Sequence, residues 1–176
     1  MPDQRDGSPS ALVPDGAVGE PLEVSVDPEE FTPRLLALLS NALVWRESRE
    51  LRQRFSLGTN EWRVLSSLAS RPGMSATEVS EFLDMNKAVV SKSVNVLVER
   101  GLVVLSDGPR GSRPLYLTQA GARMHDGMLP ISMRGQEIIL GQLSERESKQ
   151  FNALLRGMLV RLKEEGLRDE EALAAG

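Results

Sequence analysis

The chain has no cysteine and a single histidine among its 176 residues. Without thiols there is no disulfide, thiolate nucleophile, thiol redox switch or cysteine-held metal. One imidazole is too few for a histidine-based metal or acid–base centre. No apolar run approaches the roughly 20 residues that cross a bilayer, and the N-terminus lacks the apolar core of a signal peptide. A cytoplasmic protein is expected, with no membrane partner. The sequence also contains no GxGxxG, no P-loop, no His-bracketed carboxylate pair and no nucleophile beside a base. No enzyme, no cofactor and no metal is therefore expected.

What is present begins with charge. The formal net charge is −4, yet residues 1–30 alone carry −7 and residues 164–176 carry −4, leaving +7 on residues 31–163. Two acidic ends enclose a basic middle, the electrostatic prerequisite for holding phosphates.

Residues 1–26 mix Pro, Gly, Ser and acids without apolar periodicity and read as a mobile arm. Helix starts are signalled by Asp27 with Glu30 and by Thr32–Pro33, the second opening the long helix. Leu35, Leu38, Leu39, Ala42 and Leu43 then recur at helical spacing. Gly58 is expected to close that helix and Thr59 to cap the next, with Trp62, Leu65, Leu68 and Ala69 on one face. "SATE" from Ser75 is a capping box opening a short helix with Ala76, Val79, Phe82 and Leu83 inward. Asn86 caps another, which Gly101 ends. "LVVLS" and "PLYLT" read as strands joined by the loop "DGPRGSR". Thr118 caps a helical stretch to Leu143 with a kink or broken turn at Pro130. "SERE" at Ser144 opens a last helix whose Phe151, Leu154, Leu155, Met158, Leu159 and Leu162 form an apolar stripe. The fold class is mainly α with a small antiparallel β hairpin.

The helix after Asn86 carries the functional signal. Val90, Val94 and Leu97 must point inward, which leaves Lys87, Ala88, Val89, Ser91, Lys92 and Asn95 outside. Cations, amides and small apolar groups on one surface suit a major groove, where apolar groups meet thymine methyls and amides meet base edges. A short helix, a tight turn and this second helix make a helix-turn-helix. Arg110 and Arg113 stand in the glycine-flanked loop, suited to a narrow minor groove. The helix starts at Ser75, with Thr77 in its first turn, and at Asn86 offer backbone N–H groups to phosphates. The competing reading is a winged helix used only for protein contacts or dimerisation.

The segments "NEWRVLSSLA", "NKAVVSKSVNVLVERGLV" and "PLYLTQAG", in this order of elements, resemble the MarR (multiple antibiotic resistance regulator) family of bacterial winged-helix transcription regulators, from about Thr32 to Lys163. One departure is Pro109, which stands where the family wing usually has an aspartate. The resemblance implies a homodimeric double-stranded-DNA-binding repressor on a pseudo-palindromic operator. It also implies a small aromatic effector in a crevice lined by Trp45, Arg49, Trp62 and His125. The corresponding division of the chain is an arm over 1–26, an N-terminal dimerisation helix over 27–57, a winged helix-turn-helix DNA-binding lobe over 58–118, C-terminal dimerisation helices over 119–165, and an acidic tail over 166–176. The wide stripe of the last helix supports a dimer independently, since exposing several leucines favours association.

Overall fold

The computed structural model describes residues 13–108 and 112–174. The elements are α1 (Thr32–Phe55), α2 (Thr59–Ser70), α3 (Ala76–Leu83), α4 (Lys87–Glu99), β1 (Val103–Leu105), β2 (Leu115–Leu117), α5 (Gln119–Leu140) and α6 (Glu145–Ala174). The expected class, mainly helical with one small antiparallel hairpin, is the observed one. The chain divides into two compact units, Met1–Ser40 and Asn41–Gly176.

In the first unit, residues 13–31 form turns and extended chain, all exposed. The backbone turns at Asp27, whose Oδ1 accepts from the Glu29 N–H at 2.9 Å and whose carbonyl accepts from Phe31 at 3.0 Å. Arg34 donates to the Pro28 carbonyl at 2.7 Å. Helix begins at Thr32, and Leu35, Leu36, Leu38 and Leu39 are exposed.

In the second unit α2 is the hub, packing against α3, α4, α5 and β2. Its Trp62, Val64, Leu65 and Leu68 join Leu51, Val79, Val90, Val94, Leu97, Leu102, Val103, Leu115, Met128 and Ile131 in one core. Fully burying side chains of this size is worth roughly 1.5–3 kcal/mol each. Ala69 lies outside this face, exposed near the end of α2, and Val64 takes the inward place beside Leu65. Phe82 also departs from expectation: it is exposed, with the Arg71 guanidinium 4.4 Å above its ring.

Local hydrogen bonds fix where the helices stop. At the end of α3, Asp84 takes the left-handed conformation (φ 52°), the Met85 N–H donates to the Ser80 carbonyl at 3.0 Å, and the Ser80 hydroxyl donates to the Met85 carbonyl at 2.6 Å. Gly101 (φ 67°) performs the same reversal after α4, with the Leu102 N–H donating to the Leu97 carbonyl at 2.9 Å. The end of α1 differs from the reading of Gly58 as its terminator. Helix stops at Phe55, Ser56 is left-handed, and Arg100, at the end of α4, donates to the Ser56 and Phe55 carbonyls at 3.0 and 3.1 Å. Gly58 instead stands at the N-cap of α2, and Thr59 is its first helical residue. The cap is supplied from Glu61, whose Oε2 accepts from the Gly58 N–H at 2.8 Å.

Strands β1 and β2 pair antiparallel with Val103 opposite Leu117 and Leu105 opposite Leu115. Val103 and Leu115 face the core while Val104 and Tyr116 face out. The segment before α3 adds edge bonds, Gly73 N–H to the Leu115 carbonyl and Leu115 N–H to the Met74 carbonyl, both 2.9 Å. Thr118 caps α5 and ties it to the hairpin: its Oγ1 accepts from the Gly121 N–H at 3.0 Å and donates to the Gly101 carbonyl at 2.8 Å. Helix α5 runs unbroken through Pro130. The expected broken turn is absent, and the missing proline N–H is tolerated among the surrounding helical bonds. The stripe of α6 is exposed at Leu154, Met158, Leu159 and Leu162. No helix among the described residues is long and apolar enough to cross a membrane.

Gly121 approaches the residue that precedes β1 so closely that a Cβ there would overlap the Leu102 carbonyl oxygen. Gly121→Ala, which in an open helix would gain about 1 kcal/mol, is expected to destabilise the protein by about 1–3 kcal/mol, read as a fall in the urea midpoint.

Candidate nucleic-acid interface

Helix α4 separates its faces as its 3.6-residue period requires. Val90 and Leu97 are completely buried, Val94 nearly so, while Lys87, Ala88, Val89, Ser91, Lys92 and Asn95 are exposed. The structure thus brings these six side chains onto one open surface. Asn86 stands at the N-cap, its Oδ1 accepting from the Ala88 N–H at 2.8 Å. That leaves the side-chain NH2 of Asn86 as its outward polar group.

Ser93 interrupts the outer polar run and is buried. Its hydroxyl donates to Glu61 Oε1 at 2.8 Å, while the other carboxylate oxygen holds the Gly58 N–H. Glu61 therefore clips the start of α2 to the middle of α4 and fixes the rotation of α4 about its axis. The sequence reading missed this pairing, and its only local trace is a serine spaced three residues from Val90 on the inward side.

The first turn of α3 is more self-contained than the sequence suggested. The Ser75 N–H and hydroxyl both donate to Glu78 Oε2, at 2.7 and 2.8 Å, and the Glu78 N–H donates back to Ser75 Oγ at 3.3 Å. The Ser75 N–H and hydroxyl are thereby occupied, so neither is open to a phosphate. Thr77 in the same turn is exposed. In the wing, Arg113 is exposed and the Gly108 N–H donates to the Ser112 carbonyl at 2.9 Å. Pro109 and Arg110 lie outside the described residues.

The four residues expected to line an effector crevice fall into two settings. Trp62 is buried, stacks on His125 with ring centroids 5.2 Å apart, and donates from Nε1 to Ser132 Oγ at 2.7 Å. Ser132 in turn donates to Glu47. Trp45 and Arg49 are exposed and line an open groove of about 510 Å3 along α1 with Val44, Ser48, Arg52 and Gln53. Neither Trp62 nor His125 lines that groove. Among the described residues no group of three or more His, Cys, Asp or Glu could hold a metal ion.

Two helices, a three-residue turn with a left-handed residue, and a hairpin against their flank define a winged helix-turn-helix protein. Residues 55–114 match the model of the MarR family. The chain is 27% identical over 124 residues to the transcriptional regulator HosA of Escherichia coli O111:H-, covering 62% of this chain and 92% of that protein. Its fold is similar to a MarR/EmrR family transcriptional regulator from Acinetobacter sp. ADP1, with TM-score 0.73, 23% identity, and 79% and 99% of the two chains covered. It is also similar to MepR of S. aureus, solved as a DNA complex, with TM-score 0.69, 21% identity, and 77% and 99% covered. The resemblance read from the sequence is thereby shown, in sequence over the winged helix and in fold over most of the chain.

The capping box also sets a pH dependence. Hydrogen bonds from the Ser75 backbone, then its hydroxyl, hold the exposed Glu78 carboxyl below the usual carboxylate range. A folded-state pKa below the unfolded one adds stability above the unfolded pKa that is lost as pH falls through the folded one. Glu78→Gln is expected to be less stable than the parent at neutral pH and to converge on it in acid. Thermal melts of both proteins between neutrality and pH 3 would show a constant gap if the reading is wrong.

Proposed function

We propose that the protein is a sequence-specific double-stranded-DNA-binding transcriptional regulator in the cytoplasm, acting as a homodimeric repressor on a pseudo-palindromic operator. The observation that carries it is the sorting of α4, whose Val90–Val94–Leu97 row is buried while the strip from Asn86 to Asn95 is open. In the bound state Ala88 and Val89 meet thymine methyls or permit close approach, Asn95 and Lys92 reach base edges, and Lys87 and Ser91 hold phosphates. Arg113 and Arg110 extend the interface from the wing to the minor groove. The MepR complex with DNA supports this reading, as does the positive charge of the middle of the chain.

The lobe over 58–118 is then the DNA-binding part, and the helical segments 27–57 and 119–165 the dimerisation parts. The exposed leucines of α1 and of α6 support that assignment. Release by a small aromatic ligand completes the proposal, with Trp45 and Arg49 lining one candidate surface and Trp62 with His125 another.

In vitro selection of bound duplexes tests the function directly and is expected to return a two-fold sequence. For the selected site, log K is expected to fall linearly with log salt at about −0.9 per phosphate neutralised. Binding indifferent to salt would remove the phosphate contacts from the account.

Asn95→Ala and Lys92→Ala are each expected to reduce discrimination between operator and random DNA by about 1–3 kcal/mol, the worth of one good pairing between a side chain and a base edge. Equal weakening on both duplexes, in competition titrations, would reassign those side chains to phosphate positioning.

A further inference from the structure

We propose that Arg100 is the positioning residue that sets how far apart the two α4 helices stand, and with that the half-site spacing of the operator. The proposal rests on the homodimer reading above. It concerns the joint between α1, assigned there to the dimer, and the lobe that carries α4.

Two clasps fasten α1 to its neighbours. At its middle, Glu47 accepts from the Ser132 hydroxyl of α5, which itself accepts from Trp62 Nε1 of α2 at 2.7 Å. At its end, Arg100 Nη1 and Nη2 donate to the Ser56 and Phe55 carbonyls at 3.0 and 3.1 Å. Among the described residues these two are the hydrogen bonds that join the end of α1 to the end of α4. Between the clasps Leu51 is buried in the core, but apolar packing is non-directional. A single attachment leaves a pivot, whereas two attachments set about 12 Å apart along a helix, as Glu47 and Phe55 are, fix an angle. Farther along α4, Val44, Ser48 and Arg52 stand with Val89, Lys92 and Ser93 around an open cleft of about 410 Å3. Packing therefore does not hold the two helices together there.

Arg100 is firmly anchored at its own end. Its backbone N–H donates to the Val96 carbonyl at 3.1 Å, and the Gly101 and Leu102 N–H groups donate to the Val98 and Leu97 carbonyls, both at 2.9 Å. The guanidinium thus projects from a fixed point. The last turn of α1 already carries Arg52 and Arg54, so its dipole has no need of a third cation from α4. Small angles matter at this joint. Helix α4 spans about 20 Å, so tilting it by about 10° displaces one end relative to the other by about 3.5 Å, one base-pair step along DNA.

The test uses the full chain. Because the chain has no cysteine, Glu81→Cys accepts one spin label per protomer, at an exposed position of α3 outside the proposed DNA-binding strip. Without DNA, this labelled parent is expected to give one narrow distance distribution, and Arg100→Gln on the same background a distribution broadened by several ångströms. Arg100→Lys keeps the charge but not the fork that reaches both carbonyls, and is expected to fall between the two. With DNA, the parent is expected to prefer its selected spacing by about tenfold or more over duplexes one base pair longer or shorter. Arg100→Gln is expected to reduce that preference to about threefold or less, a loss on the scale of one hydrogen bond from a charged group. The penalty for a base change within a half-site is expected to be the same in both proteins. An unchanged distance distribution, an unchanged spacing preference, or a loss of affinity equal at all spacings would overturn the role of Arg100. Parent labels without mutual dipolar coupling would instead overturn the homodimer, and the proposal with it.

Discussion

The burial of Val90, Val94 and Leu97 against α2 is the constraint on which the interface depends. An α-helix has no freedom to choose its outer face once its inner face is fixed, because every residue is set at 100° from the last. Three apolar side chains hold α4 to the core, and the Glu61–Ser93 hydrogen bond then fixes its rotation. Apolar packing is non-directional and would tolerate a small roll of the helix. A 2.8 Å hydrogen bond to a carboxylate whose other oxygen is tied to Gly58 would not. The direction in which Asn95 and Lys92 project is thus decided behind them, on the side that no ligand of the outer strip touches.

The rest of the lobe extends the same frame to the wing and to α1. Thr118 binds the carbonyl of Gly101 and the N–H of Gly121, so the end of α4, the return from the hairpin and the start of α5 are one hydrogen-bonded junction. Arg100 joins the end of α4 to the end of α1 through the Phe55 and Ser56 carbonyls. The C-terminal end of α4 is consequently attached to α1, to the hairpin and to the start of α5, which holds the helix on a rigid support.

Most of the elements were legible in the sequence because their signals are local. The capping boxes at Ser75 and Ser144, the caps at Asn86 and Thr118 and the reversal at Gly101 each involve residues within a few positions of one another. So does the inward row of α4, which periodicity alone assigns. The start of α2 was misread because a threonine beside a glycine has the pattern of a cap, whereas Glu61 does the capping and leaves the Thr59 hydroxyl inside. Phe82 was misread because periodicity cannot foresee a neighbouring guanidinium covering an aromatic ring at the surface. Ser93 with Glu61, and Arg100 with α1, join residues 32 and 44 positions apart, and no local pattern reports such pairs. The effector residues were grouped by the family resemblance alone, and the structure separates them: Trp62 turns inward onto His125 while Trp45 turns out.

The long helices obey a different logic from the lobe, which has a closed core of its own. Leu35, Leu36, Leu38 and Leu39 of α1 and Leu154, Met158 and Leu159 of α6 remain about half exposed in the single chain, and Leu162 of α6 more so. Completing the burial of a half-covered side chain of this kind yields about 1 kcal/mol. In the proposed homodimer the four on α6 would then contribute about 8 kcal/mol over two copies, inside the roughly 4–15 kcal/mol that association costs. Adding the four on α1 doubles the gain to about 16 kcal/mol, at the upper end of that cost. In the proposed pair both stripes would therefore contribute, and the spacing of the two α4 surfaces on DNA would be set by helices at opposite ends of the sequence.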